Sequence, residues 1–208
     1  LRYDAFGDYY KATLMNYILG GDFNSHLNIN LREDKGWTYG ARSGFSSTKT
    51  PGAFTASAGV KAAATDSSVV EFIKEMKNYG QSGITELELT FVKSSLGQTD
   101  ALRYETSFQK AIFLSRIIDY DLPKNFVEQQ AQILRTITKA EIDAVAKKRL
   151  PVDKMVITIV GDKALVKPGL SKLGYEVVEL DKEGEPVTAT ATPGTPPAQL
   201  GSGTKKSE

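Results

Sequence analysis

Between Ile18 and Ser43 the sequence reads ILGGDFNSHLNINLREDKGWTYGARS, and its backbone habit changes twice within that span. Gly20-Gly21 breaks a helix predicted from Asp4 to Leu19, in which Tyr10, Leu14, Tyr17 and Ile18 recur at helical spacing. Asp22 is then an N-cap candidate, because a carboxylate can accept from the amides that a first helical turn leaves unpaired. It opens a second helix to about Glu33, with Phe23, Leu27 and Leu31 on the buried side, and Gly36 ends that unit. From Trp37 to Lys49 the period falls to two. Trp37, Tyr39, Ala41, Ser43 and Phe45 share one face, and Thr38, Arg42 and Ser46 share the other. Thr50-Pro51-Gly52 is a turn signal and Ala53 to Lys61 a second strand, so the pair reads as an antiparallel hairpin.

Downstream the pattern is helical. Asp66 or Ser67 caps a helix with the stripe Val69, Phe72, Ile73 and Met76, and Gly80 and Gly83 separate it from the next. Thr85 with Glu88, and Thr138 with Glu141, have the spacing of capping boxes, in which each side chain bonds the other residue's backbone amide. They open helices carrying Leu89, Val92 and Leu96, and Ile142, Val145 and Ala146. Further helices are expected at about Tyr104 to Asp119, Pro123 to Arg135 and Leu165 to Leu173. The β-branched run Met155 to Val160 (MVITIV) reads as a buried strand, and Tyr175 to Leu180 as a last edge strand.

Strands at both ends with helices between them predict an α+β domain, a mostly antiparallel sheet with helices packed on one face. Residues 1–180 form that domain. From Asp181 the composition shifts to Pro, Thr, Gly and Ser with little apolar to bury, so 181–208 is expected to be a disordered tail. The chain starts at Leu1 within amphipathic material, which suggests a piece cut from a longer polypeptide.

Twenty-six basic against 25 acidic residues give a net charge of +1, with no overall drive toward nucleic acid. Gly20-Gly21 lacks the Lys-Ser/Thr ending of a phosphate loop. Lys147, Lys148 and Arg149 lie at a helix C-terminus, where cations complement the dipole, and no aromatics interleave with them. No apolar stretch is long enough for a membrane span. Cysteine is absent and His26 is the only histidine. Hydrolytic zinc sites usually take three protein ligands from His, Cys and carboxylates, so no self-sufficient catalytic zinc site is expected. Ser25 beside His26 is no dyad, since neighbours on a helix diverge by about 100° and no nucleophile elbow surrounds the serine.

The segment 18–43 resembles the signature of the noncatalytic C-terminal domain in the superfamily of insulysin, pitrilysin and mitochondrial processing peptidase, the inverzincin zinc metallopeptidases. A helix ending in Leu-Gly-Gly, a helix bearing Ser-x-Leu and Leu-Arg-Glu, and Lys-Gly-x-x-Tyr entering a strand follow in the family's order. The likeness continues through ITELE (84–88), TKAEI (138–142) and VGD (160–162), and the resemblance implies that only the domain's opening strand falls outside this sequence. His26 departs from it, standing where the family more often has arginine.

The resemblance implies a lobe of a two-half clamshell around a chamber for extended peptides. The zinc, the general base and the His-x-x-Glu-His motif would belong to a partner half or subunit, since that motif is absent here. It also implies that an arginine and a tyrosine seven residues apart reach toward the substrate, and Arg32 and Tyr39 match both identity and spacing. Without the resemblance, Tyr39 would be a half-buried strand aromatic and Arg32 a cation favoured at a helix end. Two other readings stand beside the peptidase lobe: a structural or interaction domain of the same fold, and a freestanding peptide-binding module. The lack of cysteine and the Pro/Thr-rich tail suit a bacterial cell-envelope or periplasmic protein and also a cytosolic one.

Overall fold

The computed structural model describes residues 1–99, 105–150 and 152–187. Helix α1 (Asp8–Asn16) widens into a π-helical turn at Tyr17–Gly21, and the short α2 (His26–Asn28) widens likewise at Ile29–Asp34. Strands β1 (Thr38–Phe45) and β2 (Phe54–Val60) form the predicted antiparallel hairpin. Then follow α3 (Thr65–Ser82), α4 (Glu86–Thr99), α5 (Ser107–Tyr120), α6 (Phe126–Thr136), α7 (Lys139–Arg149) and α8 (Lys163–Leu170). The architecture is α+β and rich in helix, with the described sheet reduced to the hairpin.

The core lies where α1, α3 and α7 meet beneath β1. Leu14, Met15 and Leu19 pack there with Leu27, Leu31, Met76, Tyr79, Ile142 and Ala146, all almost without solvent contact. Burying each large aliphatic side chain contributes roughly 1.5–3 kcal/mol, so this cluster fixes how the elements meet. The Tyr79 hydroxyl donates to the Met15 carbonyl at 2.7 Å, which satisfies the one polar atom of a ring that burial holds neutral.

Both capping boxes form: the Thr138 hydroxyl accepts from the Glu141 amide at 3.3 Å, and Thr85 accepts from Glu88 at 3.2 Å. A third, Thr106 with Gln109, starts α5. The Asp162 carboxylate caps α8 by accepting from the Ala164 amide at 2.8 Å.

The structure corrects several expectations. Asp22 is not the cap of α2: it accepts from the Asn24 amide in a turn, and extended Ser25 precedes the helix. The helical phase therefore starts three residues later than predicted, and Phe23 is 60% exposed rather than buried. Gly80 lies inside α3, which ends instead at Gly83 with φ +67°. Gly20 is more than a helix stop. A Cβ there would sit 2.6 Å from the Ser43 backbone nitrogen, so a side chain would push the turn off β1. The run Met155–Val160 is not a strand, and Val156 and Val160 are 89% and 97% exposed. β-Branched residues fit a pleated surface only when a neighbour supplies the ladder, and among the described residues none lies beside this run. Tyr175–Leu180 likewise reduces to a single bridge, Leu180 to Pro186. Tyr104 and residues 188–208 of the expected tail lie outside the described residues, whereas 181–187 form the turn that closes the bridge.

Candidate functional site

Arg32 occupies the π-helical turn Ile29–Asp34, and Tyr39 lies just inside β1. Gly36, at φ +62°, turns the chain between them, a conformation that costs a residue without Cβ almost nothing. The Arg32 guanidinium lies 4.2 Å above the Phe23 ring and 3.0 Å from the Glu33 carboxylate. The exposed ring is thus a platform for the cation. Nη1 of Arg32 is closed off from solvent, and its contact with Glu33 is an ion pair without hydrogen-bond alignment.

Tyr39 is completely exposed. The reason is a bulge: Thr38 pairs with Val60 and Ala41 with Ala58, so Tyr39 and Gly40 together oppose Gly59. The extra residue breaks the predicted alternation, leaving Ala41 buried while Tyr39 projects outward. The Thr38 hydroxyl holds this kink. It accepts from the Gly40 amide at 3.0 Å and lies 2.8 Å from the Gly59 carbonyl.

Asn28 ties the two parts together. Its Oδ1 accepts from the Ala41 amide at 3.0 Å, and its Nδ2 donates to the Phe23 carbonyl at 2.7 Å. One buried amide thus connects the residue under the guanidinium to the strand just past the bulge. On the inner side, Asn16 Nδ2 donates to the Ser43 carbonyl at 2.8 Å and its Oδ1 accepts from the Ser43 hydroxyl at 2.6 Å, anchoring β1 to α1. Among the described residues, no hydrogen bond or ion pair joins Arg32 to Tyr39. The Tyr39 side chain stays in solvent, whereas the Arg32 guanidinium is held between Phe23 and Glu33.

Sequence reasoning missed Asn28, Phe23 and Thr38 as supports. Asn28 left a trace, since it is a weak helix former set between Leu27 and Ile29 in a helical stretch.

His26 lies apart from any serine chemistry. Its Nε2 is 2.5 Å from Glu88 Oε1 and its Nδ1 4.0 Å from Glu75, while Ser25 Oγ is buried without a partner. Burial opposes the Glu88 charge, but hydrogen bonds from His26 and Thr85 outweigh it and hold that carboxyl below its usual range. His26 thereby fastens α2 to the start of α4. At the far end of α7, Lys148 and Arg149 both pair with Asp8 of α1, which occupies two of the three basic residues there. Among the described residues, no group of three or more histidine, cysteine or carboxylate side chains is placed to hold a metal ion, and no helix is long and apolar enough to cross a membrane. The described residues do not fit a resident zinc.

Residues 3–96 match the family model described as the peptidase M16 inactive domain. A solved peptidase M16 inactive domain from Pseudomonas fluorescens is 28% identical, with a TM-score of 0.67 over 74% of this chain and 37% of that one. The non-peptidase homolog YmxG of Helicobacter pylori is 27% identical over 75% of this chain and 36% of its own length. A putative zinc protease from Bordetella pertussis shares the fold, with 17% identity and a TM-score of 0.55 over 72% of this chain and 83% of that one. The chain thus spans little more than a third of the first two relatives. These matches bear out the resemblance carried by 18–43: residues 3–96 match the inactive domain of the M16 peptidases, and the chain is similar to solved examples of that domain.

Proposed function

We propose that this domain acts as the zinc-free lobe of a two-half peptidase, closing a chamber over extended peptides and presenting Arg32 and Tyr39 to the substrate. The observation that carries the reading is the exposure of Tyr39. A phenol held wholly in solvent by a bulge adds no burial energy, so its placement has no account in stability. It has one in chemistry. Attack on a peptide carbonyl builds negative charge on the carbonyl oxygen, and a phenol aimed there stabilises that charge more than it stabilises the bound substrate. Arg32, permanently charged and propped on Phe23, offers donors to a second substrate carbonyl. Zinc and the group that activates water are supplied by the partner half, either on the same polypeptide or on another subunit.

A second reading, a structural or interaction domain of the same fold with no proteolytic role, is favoured by the description of the Helicobacter relative as a non-peptidase homolog. Cleavage of a fluorogenic peptide separates the two. The peptidase reading expects hydrolysis by the parent protein that a zinc chelator abolishes, and none by this chain alone. A parent without activity, with or without added zinc, supports the structural reading. Peptide binding by this chain without a partner would instead mark a freestanding module.

A further inference from the structure

A hollow of about 350 Å³ opens between the last turns of α3, the end of α7 and the 3₁₀ turn Val152–Lys154. That volume lies within the range of small-molecule sites. Its floor is apolar, since Met76, Ala146 and Leu150 are buried members of the core. Gly80 of α3 forms part of the wall. A glycine inside a helix destabilises it relative to alanine. A Cβ at Gly80 would meet nothing within 4 Å, so no neighbour in the fold requires the glycine. What the absent side chain leaves is room in the hollow.

Three ammonium groups, those of Lys77, Lys147 and Lys154, stand around the opening with one carboxylate, Asp153. Lys77 and Asp153 neutralise each other at 2.7 Å. Lys148 and Arg149 are taken up by Asp8, whereas Lys147 and Lys154 are exposed and make no side-chain ion pair or hydrogen bond among the described residues. Lys147 also complements the C-terminal dipole of α7, a duty that Lys154, on the 3₁₀ turn, does not share. Two unmatched positive charges thus flank an apolar floor. The rim attracts an anion and repels a cation, and the floor favours an apolar body over a bare inorganic ion.

We propose that this hollow binds a small organic anion, a carboxylate on an apolar body. Lys147 and Lys154 hold the carboxylate, and the body lies over Met76 and Leu150 in the room beside Gly80. Lysines are point charges on flexible stems, so the site selects for charge and is tolerant of the shape of the head group. None of the lining residues belongs to the elements that carry Arg32 and Tyr39, so this site does not depend on the peptidase reading.

Equilibrium dialysis of the parent protein against octanoate tests the site, with octanol as the uncharged control. Octanoate is expected to bind saturably in the millimolar range or below, and octanol at least about threefold more weakly. Lys147→Glu and Lys154→Glu are each expected to weaken octanoate by roughly two- to fivefold. Gly80→Leu puts a better helix former into the hollow, and is expected to abolish binding while the circular dichroism stays that of the wild type. Absence of saturable octanoate binding, equal binding of octanoate and octanol, or undiminished binding by Gly80→Leu overturns the proposal.

Discussion

Asn28 makes the candidate site one unit, because a single side chain holds both the ring beneath Arg32 and the strand that bears Tyr39. The Ala41 amide faces away from β2 on the outer edge of β1, and a buried amide without a partner carries its full desolvation penalty. Asn28→Ala in the parent protein is therefore expected to lose about 1–3 kcal/mol of stability in urea unfolding. Stability within experimental error of the wild type would show that solvent replaces the side chain and that Asn28 is no strut. Arg32 and Tyr39 themselves were legible through the signature they share with the family. Asn28 and Thr38 were not, because one bonds an edge amide of β1 and the other the amide inside the bulge, and neither group is defined until the strands pair.

Among the elements, those with local codes were readable and those needing a distant partner were not. Thr85–Glu88 and Thr138–Glu141 satisfy their caps within four residues, so sequence suffices. MVITIV states a propensity that only a neighbouring strand can realise, and Phe23 was misplaced because the cap of α2 shifted from Asp22 to Ser25. The α7 cap also gives a pH signature. A hydrogen bond from Lys11 of α1, reinforced by the Thr138 amide, lowers the Glu141 pKa from 4.5 to about 2. A carboxylate depressed on folding contributes stability above its unfolded pKa and loses it as pH falls toward the folded value. Glu141→Gln keeps the capping geometry and removes the charge. Wild type is thus expected to be the more stable above about pH 5, with the gap closing between 4.5 and 2. A gap independent of pH would mean that the Lys11 contact contributes nothing in solution.

At the scale of the whole molecule, the fold reads as one lobe with two kinds of unfinished surface. One is the outer edge of β2, which no other strand pairs with among the described residues. The other carries the fully exposed Tyr39 and the partly exposed Arg32, for which the proposed function supplies a role. The α+β class and the inactive-domain likeness were legible from 18–43, since that segment holds both helix breaks and the entry into the sheet. The direction in which Tyr39 points was not, because it depends on the one-residue bulge that inverts the expected alternation.

The most direct test is the turnover number of Tyr39→Phe in the parent protein, measured on a fluorogenic peptide beside its melting temperature. The phenol is fully exposed, so folding should be unaffected. The account predicts an unchanged melting temperature and a turnover lowered by roughly 10²–10³-fold, the usual loss for one oxyanion donor. Wild-type turnover in Tyr39→Phe would contradict it and leave Tyr39 as a surface residue of a structural lobe.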